Sequence, residues 1–148
     1  MSEVALKIKK CHEKAVIPEY QSQGAACFDL VAATAKNKME PTGPITEYDT
    51  GLAFEIPPGH VGLVFPRSSV TTKTTLMLGN GVGVIDSDYR GTVKLQFRHA
   101  NPNFGQFYKE GERVGQMMIL PIPLVQILEV DNLSGTERGE GGFGSTGK

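Results

Sequence analysis

The chain has 148 residues, 39% hydrophobic and 21% charged, with a formal net charge of −1 and a pI near 6.3. These values describe one ordinary globular domain, and they exclude a disordered chain and a broad basic face for nucleic acid; no apolar run approaches the ~20 residues of a membrane span. The two cysteines, Cys11 and Cys27, form neither a disulfide framework nor a zinc pattern, and read as reduced thiols of a cytoplasmic protein.

In chain order, Met1–Lys10 is charged and alternating, unlike a secretion signal, and contains a first strand candidate at Val4–Lys9. Short apolar runs follow at Phe28–Ala32, Gly51–Ile56, His60–Phe65, Gly83–Ile85, Thr92–Phe97, Val114–Leu120 and Val125–Val130. Val93, Leu95 and Phe97 alternate with Thr92, Lys94 and Gln96, the period of two of a half-buried strand. Pro41-Thr42-Gly43-Pro44 predicts a loop, Pro57-Pro58-Gly59 a hairpin turn, and Asn101-Pro102-Asn103 another loop. Pro121 and Pro123 predict a strand end or an edge. Helical signal is confined to Ser69–Thr75 and is thin. Many short strands with almost no helix predict an all-β barrel, sandwich or jelly roll. The stretch Ser134–Lys148 is rich in glycine and poor in apolar residues, and is expected to be mobile unless something binds it.

That tail holds two motif matches that lack their context. Gly139-Glu140-Gly141-Gly142-Phe143-Gly144 fits G-x-G-x-x-G, and Gly142 to Lys148 fits G-x-x-x-x-G-K. Either motif needs a strand before it and a helix after it, so that a helix N-terminus meets the phosphates. Neither is supplied here. The glycines still let backbone N–H groups approach an anion, and Arg138, Ser145 and Thr146 add donors.

The densest chemistry lies in Gly79–Gly91, where two apolar segments flank Asp86-Ser87-Asp88. Asp86 and Asp88 are two apart and would share one side of a strand. They read either as turn-forming aspartates or as a carboxylate poised to take a proton or hold a metal. Pro66-Arg67-Ser68-Ser69 reads either as a solvated strand end or as a phosphate-holding cluster.

With these residues the chain resembles the homotrimeric dUTPase family, in five separated motifs in family order. They are Ala25-Ala26-Cys27-Phe28-Asp29-Leu30, Pro66-Arg67-Ser68-Ser69, Gly83 to Gly91 with Asn80 before it, Gly111-Glu112-Arg113-Val114-Gly115-Gln116, and Arg138 to Gly147. The resemblance implies a jelly-roll-like β barrel over residues 1–133 and a tail, 134–148, that closes the active site. It implies hydrolysis of dUTP to dUMP and pyrophosphate, with Asp86 as the general base. Asn80, Gly83, Val84 and Ile85 would read uracil, largely through main-chain groups, and Tyr89 would lie against the deoxyribose and crowd out a 2′-hydroxyl. Arg67, Ser68, Ser69 and Gln116 would hold the phosphates, with Ser68 at the leaving bridging oxygen. Asp29 would hold a water of a Mg²⁺ bound mainly by the substrate. Phe143 would stack on uracil, while Arg138, Gly144, Ser145 and Thr146 would close on the phosphates. The site would be shared between subunits of a trimer, with no nucleic acid or membrane as partner.

Three departures from the family pattern are local. Ser69 stands where glycine is usual, Cys27-Phe28 replaces a more usual Gly-Tyr or Gly-Met, and Gly115 replaces an alanine. Asp88 and Arg90 are expected to brace the hairpin by charge pairs, and His12, His60 and His99 to be scattered surface residues. The related dCTP deaminase chemistry needs a glutamate where this chain has Gln96, and an amide cannot serve as that acid–base group. A reading from another class is a nucleotide-gated binding protein, in which ordering of the tail signals to a partner.

Overall fold

Alternation along the chain resolves into two antiparallel sheets that bury their apolar sides against each other. The computed structural model describes residues 3–101 and 107–142. Nine strands lie within these residues: β1 (Lys7–Lys10), β2 (Phe28–Val31), β3 (Thr34–Glu40), β4 (Gly43–Glu55), β5 (His60–Phe65), β6 (Leu76–Leu78), β7 (Gly83–Ile85), β8 (Thr92–His99) and β9 (Arg113–Pro121). One helical turn, α1 (Ser69–Lys73), follows β5. The first sheet runs β1-β4-β8-β6 with β3 also paired to β4; the second runs β2-β9-β5-β7. This is the all-β class that the short strand candidates predict, in the jelly-roll-like form that the resemblance implies.

The 13-residue β4 organises the first sheet. Its first half lies between β3 and β8; after a register shift between Asp49 and Ala53 its second half pairs with β1. Gly51 sits in that irregularity at φ 64°, where a Cβ would come within 2.6 Å of the His12 Cβ, so only glycine fits.

The core collects the inward positions: Phe28 and Leu30 of β2, Tyr48, Leu52 and Phe54 of β4, Val64 of β5, Val93, Leu95 and Phe97 of β8, and Val114 and Met117 of β9. Each large aliphatic side chain fully removed from water contributes about 1.5–3 kcal/mol. Tyr48 meets Phe97 edge to face at 5.8 Å and donates its hydroxyl to the Tyr108 carbonyl at 3.1 Å. Burial pushes the Tyr48 phenol up to about 12.

Several expectations are corrected. Pro57-Pro58-Gly59 is a corner, not a hairpin turn, because β4 and β5 belong to different sheets. β3, the first half of β4 and β6 were not expected as strands. β3 is polar and largely exposed, so it carries no apolar period. Val125–Val130 forms no strand: it has no regular secondary structure and its side chains are exposed. An extended run cannot satisfy its backbone as a strand without a partner. The helical expectation at Ser69–Thr75 is met by α1. No helix among the described residues is long and apolar enough to cross a membrane.

Candidate active site

Two polar centres form, and they lie on opposite outer sides of the sandwich. The first surrounds the crossing from β6 to β7. Gly79 N–H donates to the Gln96 carbonyl at 2.8 Å, which ties the start of the crossing to β8. A tight turn follows: Gly81 N–H donates to Leu78 O at 3.1 Å and Val82 N–H to Asn80 O at 2.8 Å, with Gly81 at φ 70°. The crossing enters β7, which pairs with β5 through Val64↔Gly83 and Gly62↔Ile85. Because β6 and β7 lie in different sheets, this is a turn between layers and not a paired hairpin.

Asp86 follows directly on β7, exposed, in a turn closed by Tyr89 N–H donating to Asp86 O at 3.1 Å. Among the described residues nothing engages its carboxylate. Asp88 falls within that turn, so the two aspartates do not share a strand face. Arg90 braces the loop by donating Nη1 to the Ser87 carbonyl at 2.7 Å and the Tyr89 carbonyl at 3.0 Å. Among the described residues neither Asp88 nor Arg90 forms a salt bridge, which corrects the expected charge pairs.

Asn80, Val84, Ile85, Asp86 and Tyr89 line a cavity of about 730 Å³ against the outward residues of β8, Thr92, Lys94, Gln96 and Arg98. Its β8 wall is held by a partly buried charge network. Glu47 accepts from Lys38 at 2.8 Å and from Gln96 at 2.8 Å, with Lys94 at 3.7 Å. Burial alone would raise the Glu47 carboxyl, but the bonds from Lys38 and Gln96 and the charge of Lys94 outweigh it and hold it below its ordinary value. Gln96 is therefore an amide fixed by a carboxylate.

The second centre lies on the outer side of the other sheet. Asp29 sits between buried Phe28 and Leu30, so it points away from the core, opposite Gln116 of β9. Gln116 also pairs with Phe65, and it donates Nε2 to the Pro66 carbonyl at 3.0 Å. Arg67 follows, with Nε 3.8 Å from Asp29 and Nη1 donating to the Arg113 carbonyl at 3.3 Å. Arg113 in turn donates Nη1 to Asp29 at 3.0 Å and to Gln21 at 2.8 Å. Ser68 precedes α1 and its hydroxyl makes no cap bond; the Ser69 hydroxyl meets the Tyr108 hydroxyl at 3.4 Å. Cys27 beside this centre is half-buried, and burial, then the Asp29 charge, push its thiol up.

Asp29, Arg67, Ser68, Ser69 and Gln116 are thus together, and Asn80, Gly83, Val84, Ile85, Asp86 and Tyr89 are together, but one chain does not join the two groups. The cavity beside Asp86 is lined by none of the second group. Arg138 lies in neither: its Nε donates to the Gly141 carbonyl at 2.8 Å within its own turn. Phe143, Gly144, Ser145 and Thr146 lie outside the described residues. Sequence reasoning gave Arg113 no role, although its place beside Glu112 in the fourth motif was the available signal. The three histidines are half-buried and do not cluster, but His99 is engaged, its Nε2 lying 2.9 Å from the Thr46 hydroxyl.

The dUTPase family model matches residues 13–147. The chain belongs to the dUTPase family. Among curated dUTPases, the deoxyuridine 5′-triphosphate nucleotidohydrolase of Nautilia profundicola is 45% identical over 144 residues, covering 97% of this chain and 99% of that one. The enzyme of the same name from Bdellovibrio bacteriovorus is 40% identical over 149 residues, covering 100% and 99%. Among solved dUTPases, that of Staphylococcus bacteriophage 80alpha with dUPNHPP superposes with a TM-score of 0.82 at 28% identity, over 97% of this chain and 99% of that chain.

The packing around β9 explains one departure from the dUTPase pattern. A Cβ on Gly115 would stand 2.3 Å from Leu95 Cδ2 and 3.0 Å from the Phe65 carbonyl oxygen. In this dUTPase the Leu95 side chain fills the space that an alanine at 115 would need.

Proposed function

We propose that this chain hydrolyses dUTP between the α- and β-phosphorus to give dUMP and pyrophosphate, in the cytoplasm, at sites shared between copies of a homotrimer. The observation that carries this reading is the grouping of Asp86, Tyr89 and the Asn80–Ile85 turn around one cavity in a member of the dUTPase family. The carboxylate of Asp86 is accessible and uncommitted among the described residues, as a base facing a water must be. In the proposed step a water oxygen bonds to the α-phosphorus, the water proton passes to Asp86, and the bond from the α-phosphorus to the bridging oxygen breaks, with pyrophosphate leaving.

The turn at Asn80–Ile85 reads uracil through main-chain groups, and a wrong base leaves buried polar groups unpaired. Tyr89 walls the sugar. Arg67, Ser68, Ser69 and Gln116 hold the phosphates, and Ser68 supports the leaving oxygen. Their position on the opposite side of the sandwich supports their delivery to the cavity by a neighbouring copy. A second support for assembly is the run after β9. There Leu124, Ile127 and Leu133 are 102%, 92% and 89% exposed, apolar side chains that a neighbouring copy would cover. The tail residues Arg138, Phe143, Gly144, Ser145 and Thr146 are proposed to close over the bound nucleotide.

Among the described residues no group of three or more His, Cys, Asp or Glu side chains could cage a metal. The donor set does fit an ion carried by substrate. Asp29 binds Arg113 through Oδ2, whereas among the described residues Oδ1 has only the 3.8 Å contact with Arg67, which leaves that oxygen able to accept from a metal-bound water. Mg²⁺, held mainly by the triphosphate with Asp29 behind one of its waters, would neutralise phosphate charge. Asp29 would then serve the ion and the two arginines together.

The test is pyrophosphate release with Mg²⁺ from dUTP, dTTP, dCTP and UTP in parallel. Release from dUTP alone is expected. Release from none of the four would overturn the reading.

A further inference from the structure

Tyr89 is held by an unusual set of contacts for a side chain that is 45% exposed. Its hydroxyl donates to the Thr92 carbonyl at 3.3 Å. The hydroxyl end of its ring lies against Gly91: a Cβ there would come within 2.3 Å of the Tyr89 Oη, 2.6 Å of Cζ and 3.1 Å of Cε2. Those distances are far inside van der Waals contact, so the ring occupies the volume of the missing side chain. The backbone does not require glycine, because φ at Gly91 is outside the left-handed region. The absent Cβ therefore serves the ring and not the chain path.

Thr92 is itself fixed. Its hydroxyl donates to Asp49 Oδ2 at 2.9 Å, while Asp49 Oδ1 accepts the Gly51 N–H at 2.8 Å in the β4 irregularity. On the other side, Arg90 holds the Tyr89 carbonyl. Tyr89 is clamped at its backbone, at the tip of its ring and at its hydroxyl, and each clamp leads into the first sheet or the Asp86 turn.

We infer that Gly91 is a positioning residue for sugar selection: by lacking a side chain it lets the hydroxyl end of the Tyr89 ring close onto the chain, at the one place where the ring admits 2′-deoxyribose and rejects ribose. This rests on the proposed role of Tyr89 as the wall of the sugar site. An added methyl lifts the ring and breaks its bond to Thr92, so the wall loses its fixed place while the backbone keeps its course.

The experiment measures kcat and KM for dUTP and UTP in the wild type, Gly91→Ala, Tyr89→Ala and the double variant, with thermal midpoints for each. A displacement of about 1 Å at a site can cost up to ~10²-fold in rate, so Gly91→Ala is expected to lower the dUTP-to-UTP ratio of kcat/KM by roughly tenfold. Its thermal midpoint should stay near that of the wild type. On the Tyr89→Ala background the same change should leave the ratio where Tyr89→Ala put it.

An unchanged ratio in folded Gly91→Ala overturns the inference, and so does an equal further loss on the Tyr89→Ala background, which would mark a general structural effect. If Gly91→Ala does not fold, Tyr89→Phe keeps Gly91 and removes only the bond to Thr92. A partial fall in the ratio then supports the clamp, and no fall overturns it. The underlying reading fails separately: a wild type inactive on dUTP removes the proposed function, and Tyr89→Ala with an unaltered ratio removes the sugar wall and this inference with it.

Discussion

Arg113 grips Asp29 with its guanidinium at 3.0 Å and receives the guanidinium of Arg67 on its backbone carbonyl at 3.3 Å. Arg67 is thus aimed by a carboxylate and a carbonyl before any anion arrives. Asp29→Asn removes the charge that lets two arginines lie side by side. A hydrogen bond to a charged group contributes about 1.5–3 kcal/mol, so KM for dUTP should rise roughly tenfold or more. Steady-state kinetics check this; an unchanged KM would show that Asp29 does not hold Arg67 in place for the proposed phosphate contact.

Asp86→Asn keeps the size of the side chain and removes the proposed base. Turnover of dUTP should fall at least ~10²-fold. Affinity for a non-hydrolysable dUTP analogue, read by calorimetry, should stay near the wild-type value. Wild-type turnover in this variant would take the base away from Asp86.

The exposed run after β9 gives an assembly prediction. Leu124→Asp combined with Ile127→Asp places charge on two almost fully exposed apolar side chains. The variant should keep its β circular dichroism, elute as a monomer and lose dUTP turnover. A variant that still elutes as a trimer would place the interface elsewhere.

Gly115→Ala restores the residue usual in the family and should nonetheless destabilise this chain, because Leu95 and the Phe65 carbonyl stand in the way. Overpacking of this kind costs about 1–3 kcal/mol. Thermal unfolding should show a midpoint several degrees lower, partly recovered by Leu95→Val. A midpoint equal to the wild type would mean that Leu95 moves aside freely.

Glu47 links stability to acid. Its folded carboxyl lies below the ordinary 4.5, so its stabilising contribution is complete above pH 4.5 and fades as pH falls through the lower folded value. Glu47→Gln should therefore unfold at a lower temperature than the wild type at pH 7, and the gap should narrow as pH is taken below 4.5. A gap constant from pH 7 to pH 3 would contradict the ionised network with Lys38, Gln96 and Lys94.

What the sequence reveals follows from which forces are local. β8 was legible because Val93, Leu95 and Phe97 face a core that its own alternation describes. β3 was not, because its partner and not its composition makes it a strand. Pro57-Pro58-Gly59 has the same turn chemistry whether the chain folds back on itself or crosses to another layer, so only the packing of β5 beside β9 decides. Val125–Val130 has strand-like residues and, among the described residues, no strand beside it. The site residues were named by five motifs, yet their division between two outer sides depends on the pairing of β2 with β9 and β7 with β5, which no single motif carries. The grip of Arg113 on Asp29 spans 84 positions and has no local signature.

The strand order has a consequence for how the chain is made. Of the strand pairs described, only β3 and β4 are neighbours in sequence joined by a short turn. The second sheet is held together by β9, the last strand, which lies between β2 and β5. A chain still emerging from the ribosome can form the β3–β4 hairpin early, but β2 has no partner until Arg113–Pro121 is out. Folds dominated by such distant pairings form in about milliseconds to seconds. Until then β2 and β5 present bare edges, so synthesis that stalls before β9 should yield a chain that chaperones must hold or proteases remove.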